Sequence, residues 1–220
     1  MKRKFDAVIF DMDGVLIDSE PLWREAMING FTKLGYTFTE EDCIKTTGKR
    51  FDEVIKIWFN HFKETKTNPK LFEQEVIDDL IGLIKLKGKP INGVLEVLSL
   101  LKKEQIKIGL ATSSNEKLMN FILKYLNIAS YFQSVKSAEH LKFGKPHPEV
   151  YLSCAEDLNC LPSRCFVIED SINGVIAGIA AGMKVIAIPD EKNYNKLQWS
   201  IAEQKVKNMK ELLLFLQTNL

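Results

Sequence analysis

The sequence predicts an α/β fold: a parallel sheet with helices on both faces, interrupted by an inserted all-helical cap. Three features of the 220 residues carry this reading. Ala7-Val8-Ile9-Phe10 is a short apolar run that ends abruptly in polar residues, as a buried strand does. From Glu20 to about Gly82 the apolar residues recur only at helical spacing. Beyond Gly88-Lys89-Pro90 short apolar runs alternate with helical stretches, the pattern of a parallel sheet built by crossover connections.

Taken in order, Leu22, Trp23, Ala26, Met27, Phe31 and Leu34 predict a first helix that stops at Gly35. Thr39 followed by Glu40, Glu41 and Asp42 reads as the cap and acidic first turn of a second. Phe51, Val54, Ile55, Trp58 and Phe59 give a third, and Asn68-Pro69 opens a fourth. The expected division is therefore a core of residues 1–17 and 88–220, with a helical cap of residues 18–87. Within the second part of the core, strands are expected at 106–111, 132–137, 165–168, 185–188 and near Val206. Helices are expected at 94–101, 118–125, 150–158, 172–181 and from Lys210. Gly174, Gly178 and Gly182 recur every four residues, which predicts a smooth helix face lying on the sheet with Gly182 as the C-cap.

Composition narrows the function. A hydrophobic fraction of 45% suits a sizeable core, and a net charge of +1 gives no reason to expect nucleic acid or a membrane surface as partner. The basic start Met1-Lys2-Arg3-Lys4 leads into an apolar run broken by Asp6 and Asp11, so it reads neither as a secretory leader nor as a span of roughly 20 apolar residues. A cytoplasmic monomer acting on a small metabolite is the expectation. Cys43, Cys154, Cys160 and Cys165 have no CxxC spacing and read as reduced structural thiols.

The polar residues that matter fall at strand ends, where open parallel sheets bind ligands. The first strand ends in Asp11 and Asp13, two residues apart and so able to face one site, with Gly14 to turn the chain away. The strand at 106–111 ends in Thr112-Ser113-Ser114-Asn115. Lys145-Pro146 lies in a later loop, and the strand at 165–168 ends in Glu169-Asp170. Asp11, Asp13 and Asp170 offer hard oxygen ligands that suit Mg²⁺. Lys145 and such a cation would neutralise a phosphate dianion that could not otherwise approach the acids. Thr112 and the backbone N–H groups that follow it, from Ser113 on, could hold phosphoryl oxygens at a helix N-terminus.

The set Asp11-Met12-Asp13-Gly14-Val15, Thr112, Lys145-Pro146 and Glu169-Asp170 resembles the four motifs of the haloacid dehalogenase (HAD) superfamily, over essentially the whole chain. Ile17-Asp18-Ser19-Glu20-Pro21-Leu22-Trp23, Lys145-Pro146-His147-Pro148 and Glu169-Asp170-Ser171-Ile172-Asn173-Gly174 are similar to its β-phosphoglucomutase-like branch, with the 2-deoxyglucose-6-phosphate and hexitol phosphatases. The resemblance implies a Rossmann-like core, an aspartyl phosphate formed on Asp11, and Asp13 as general acid and then base. It implies Mg²⁺ held by Asp11, Asp170 and the Asp13 carbonyl, phosphate held by Thr112, Ser113 and Lys145, and Glu169 orienting Lys145 or a metal-bound water. Asp13 is absent from simple dehalogenases, so its presence points to phosphoryl transfer.

β-Phosphoglucomutases carry a histidine on the first cap helix where this chain has Trp23. The expected activity is accordingly phosphatase action on a hexose or hexitol phosphate. A phosphosugar mutase is the alternative within the family, and a receiver-like phospho-aspartate switch the alternative outside it. Trp23 reads either as an apolar helix-face residue or as an aromatic platform for a sugar. Arg50 reads either as a substrate-recognition residue or as a surface arginine.

Overall fold

The computed structural model describes residues 4–220, so Met1–Arg3 of the basic start lie outside the described residues. Among the described residues six strands form one sheet in the order β3-β2-β1-β4-β5-β6. They are β1 (Ala7–Phe10), β2 (Lys107–Thr112), β3 (Ser134–Ser137), β4 (Cys165–Glu169), β5 (Lys184–Ala187) and β6 (Gln204–Lys205). Each pairs with its neighbours in parallel register. β1 lies near the middle, with Ala7 opposite Lys107 on one side and Cys165 on the other, and all four of its residues are buried.

The chain builds outward from β1 through β2 to β3, then returns to the other side of β1 to begin β4. The crevice of such a sheet opens where the winding reverses, at the carboxyl ends of β1 and β4. Those ends are where Asp11, Asp13, Glu169 and Asp170 stand.

Alternation along the strands feeds two apolar layers. Val8, Phe10, Ile108, Leu110 and Ile168 belong to one, with α5 (Val94–Lys103), α6 (Glu116–Tyr125) and α9 (Met209–Asn219). Ala7, Ile9, Ala111, Val167 and Val185 belong to the other, with α7 (Glu149–Asp157) and α8 (Ile172–Ala180). The expected strands and helices are all present, with ends shifted by one or two residues.

Between β1 and α5 stand four helices: α1 (Glu20–Lys33), α2 (Glu40–Lys45), α3 (Phe51–Phe62) and α4 (Pro69–Lys87). Thr39 and Asp42 form a reciprocal capping box on α2, and Asn68 accepts from the Lys70 and Leu71 N–H groups at the start of α4. Phe31 is fully buried and lies within ring-contact distance of Phe38, Phe59, Phe62 and Phe72, so aromatic packing joins the helices. The chain leaves and re-enters the sheet side by side. Ile17 bridges Pro90, Asp18 N–H donates to Lys89 O at 3.0 Å, and Ile91 N–H to Leu16 O at 3.0 Å. Among the described residues no helix is long and apolar enough to cross a membrane.

Candidate active site

Asp11 extends the β1–β4 ladder, its N–H donating to Ile168 O at 3.0 Å, which fixes its carboxylate at the mouth of the crevice. Gly14 then turns the chain with φ +73°, and a Cβ at this position would strike the Asp170 carboxylate. A residue with a side chain would be strained there and would also push Asp170 out of place.

Lys145 lies 3% exposed beneath Asp11. Its ammonium donates to Asp11 Oδ1 at 2.6 Å, Glu169 Oε1 at 2.7 Å and Ala111 O at 3.0 Å, and stands 4.7 Å from the centre of the Tyr151 ring. Burial alone would push the ammonium down, but Asp11 and Glu169 more than offset this and hold it above the ordinary lysine range. Glu169 is fully buried. Oε1 also accepts from Tyr151 Oη–H at 2.7 Å, and Oε2 accepts from both the N–H and the hydroxyl of Ser171 at 3.0 Å. With four donors on its two oxygens, Glu169 is occupied in orienting Lys145.

The acids at the opening are under strain from one another. Burial pushes the Asp11 carboxyl up to about 7, with Lys145 opposing and Glu169 and Asp13 adding to the rise. Burial also drives Asp170 well above the usual carboxylate range, and Glu169 and Asp11 add to it. Asp11, Glu169 and Asp170 each bring an oxygen within 4.8 Å of the others. Since Glu169 is saturated by donors, Asp11 and Asp170 are the carboxylates left to meet a cation. A hard divalent ion fits this set, because it supplies the charge that burial withholds.

Asp13 faces the same cleft from a separate set of bonds. Its Oδ1 accepts from Ser19 Oγ at 2.5 Å and Trp23 Nε1 at 3.0 Å, and its Oδ2 accepts from Ser114 Oγ at 2.7 Å. Ser19 occupies the position before α1 where a cap is expected, yet it makes no side-chain cap bond. Its hydroxyl is spent on Asp13. After β2, Asn115 takes over the capping of α6 by accepting from Leu118 N–H at 2.9 Å. Thr112, whose Oγ1 accepts from Ser114 N–H at 3.1 Å, and Ser113 line the cleft, and the buried Ser113 Oγ has no hydrogen-bond partner.

The cleft encloses about 830 Å³, open solvent included, between these strand ends and the inserted helices. Asp11, Asp13, Thr112, Ser113, Lys145 and Asp170 all line it, so the structure brings the expected site residues together. Trp23 lines it too, its ring 5.2 Å from that of Phe51. Arg50 does not. The sequence leaves it either a substrate-recognition residue or a surface arginine; here its side chain is 11% exposed and its guanidinium is committed to Asp52 and to the carbonyls of Ala138 and Leu141. Ser19, Ser114 and Tyr151 were not singled out from the sequence. Ser19 and Ser114 stood within segments already marked, whereas nothing in the sequence pairs Tyr151 with Glu169.

The family model described as haloacid dehalogenase-like hydrolase matches residues 8–188. Hexitol phosphatase B of Escherichia coli is 35% identical over 211 residues, covering 96% of this chain and 95% of that protein. The phosphorylated carbohydrates phosphatase of Thermotoga maritima is 35% identical over 181 residues, 82% of this chain and 83% of that one. The crystal structure of β-phosphoglucomutase from Clostridium difficile superposes with a TM-score of 0.84 at 25% identity, covering 98% of this chain and 96% of that one.

Proposed function

We propose, on the premise that this chain belongs to the haloacid dehalogenase-like hydrolases, that it is a Mg²⁺-dependent phosphatase of hexose or hexitol phosphates working through an aspartyl phosphate on Asp11. One observation carries the reading. Asp11 is anchored by Lys145, while Asp13, two residues on and lining the same cleft, is held by an independent set of donors. Two carboxylates in one cleft with separate partners suit separate tasks.

In the first step an Asp11 oxygen attacks phosphorus, the phosphorus–sugar oxygen bond breaks, and Asp13 delivers its proton to the departing alkoxide. In the second, Asp13 as carboxylate takes a proton from water as that water attacks phosphorus. The bond to Asp11 then breaks and phosphate leaves. Thr112, the unpartnered Ser113 hydroxyl and Lys145 hold the phosphoryl oxygens. Mg²⁺, when bound by Asp11, Asp170 and the Asp13 carbonyl, supplies the positive charge that lets an anionic ester approach buried acids. Residues 18–87 act as a cap domain that excludes bulk water from the site.

Among the described residues lining the cleft there is no histidine, and the resemblance to the mutases puts Trp23 where they carry one. Hydrolysis is therefore preferred to mutase action. The names of the two phosphatases similar to this chain support a sugar phosphate as substrate. Phosphate release from a panel of hexose and hexitol phosphates, with Mg²⁺ and with EDTA, tests the proposal. Activity is expected only with Mg²⁺ and is expected to vanish in Asp11→Asn. Undiminished turnover in that variant would overturn the mechanism.

A further inference from the structure

We propose that Arg50 is a positioning residue, a latch that holds the inserted helices closed against the loop carrying Lys145. Arg50 precedes α3 and caps nothing with its side chain. The side chain is 11% exposed and spans from the insertion to the core. Nη1 donates to Ala138 O at 2.9 Å and to Leu141 O at 2.7 Å. On the other edge of the fork, Nε and Nη2 donate to the two oxygens of Asp52 at 2.5 and 3.2 Å. The carboxylate thus orients the guanidinium plane, and the far edge is presented to the core.

The contacted stretch sits between the two halves of the phosphate site. Ala138 N–H donates to Thr112 O at 2.9 Å, one residue before Ser113, and the chain then runs through Leu141 to Gly144 and Lys145. Gly144 packs directly under α3. A Cβ there would come within 3.2 Å of Arg50 Cβ and 3.3 Å of Glu53 Oε1. The loop and the first turn of α3 are therefore in close contact, with Arg50 bonded across the seam. By contrast, the Lys117–Asp78 pair also spans insertion and core, but both side chains are more than half exposed, and such pairs hold little. Arg50 is desolvated and makes both its core bonds to backbone carbonyls, which no side-chain rearrangement can supply elsewhere.

The experiment compares Arg50→Ala, Arg50→Lys and Asp52→Asn with the unaltered protein by amide hydrogen exchange and by kinetics on both a hexose phosphate and acetyl phosphate. Exchange at residues 48–54 and 138–144 is expected to quicken about ten-fold in Arg50→Ala, the scale of one or two lost charge-assisted bonds. Arg50→Lys and Asp52→Asn are expected to fall between, because the first keeps part of the donor set and the second weakens only the acceptor that orients it. Should Arg50→Ala fail to fold, these two carry the test. The loss in kcat/KM is expected mainly in KM and by the same factor on both substrates. Unchanged exchange in these segments overturns the latch. A loss confined to the hexose phosphate overturns it too, since that would make Arg50 a sugar contact. The exchange readout needs no turnover, so failure of the latch is distinguishable from failure of the phosphatase reading on which the kinetics rest.

Discussion

Trp23 and Asp13 are joined directly: the indole Nε1–H donates to Asp13 Oδ1 at 3.0 Å, from helix α1 to the turn after β1. An indole N–H can only donate, whereas the Ser19 and Ser114 hydroxyls can donate or accept. Oδ1 is therefore fixed as an acceptor. A proton carried by Asp13 belongs on Oδ2, where Ser114 Oγ can turn to receive it.

Trp23→Phe keeps the ring and removes that donor. A hydrogen bond to a charged group contributes about 1.5–3 kcal/mol, so kcat is expected to fall about ten-fold or more. Steady-state kinetics on one hexose phosphate measure this. A kcat equal to that of the unaltered protein, with only KM raised, would mean that the indole serves as a sugar platform and not as a partner of Asp13.

Gly174 and Gly82 make a contrasting pair. A Cβ on Gly174 would run into the Glu169 carboxylate, while one on Gly82, inside α4, meets nothing within 4 Å. Gly174→Ala is expected to displace Glu169 from Lys145, destabilising the fold by about 1–3 kcal/mol as an overpacked site does, and to lower activity although it touches no substrate. Gly82→Ala is expected to stabilise by about 0.5–1 kcal/mol, from helix propensity alone, with activity unchanged. Chemical denaturation and phosphate release on both variants check the contrast. Stabilisation by Gly174→Ala would show that Glu169 has room to move.

These glycines also mark where the sequence stops being legible. Strands and helices could be read because their apolar periods feed two separate layers, and the acids could be placed because strand ends are easily seen. The four-residue glycine spacing predicted a face smoothed for the sheet. Gly178 does approach Val185 and Val167, but Gly174 is small to make room for Glu169. No periodicity carries that information. Ser19 stood in a marked segment with no role of its own, and only the geometry shows its hydroxyl turned to Asp13. The place of Arg50 was illegible for a similar reason, since its partners are backbone carbonyls 88 and 91 residues away, which no side-chain pattern records.

The raised acids give a pH dependence whose sign is fixed. Asp11, pushed from 3.8 to about 7, and Asp170, pushed the same way, hold protons in the native state that the unfolded chain has already released. In the metal-free protein the Asp11 contribution is fully favourable below about pH 3.8 and is lost as pH rises towards about 7, and that of Asp170 is lost in the same direction. With EDTA, Tm is expected to decline across that window, and Asp11→Asn is expected to flatten the decline. Mg²⁺ is expected to raise Tm more at pH 7.5 than at pH 5, because protons compete for its ligands. Calorimetry across pH, with EDTA and with Mg²⁺, measures both effects. An equal Mg²⁺ shift at the two pH values would rule out these carboxylates as its ligands.

Phe31 tests whether the inserted helices form a unit of their own. It is fully buried among the rings of Phe38, Phe59, Phe62 and Phe72, far along the chain from any strand. Phe31→Ala is expected to cost about 3–5 kcal/mol, the usual penalty for emptying an aromatic site. If residues 18–87 are a separate domain, that loss falls on α1–α4. Their amides should lose exchange protection, and activity should fall with the lid, while β1, β2 and β4 keep most of theirs. The sheet has its own support for this outcome, since one of its faces is packed by α7 and α8 without any residue of the insertion. Equal loss of protection in helices and strands would instead make the insertion and the sheet one cooperative unit, and the lid would then open only by bending at residues 17–18 and 88–90.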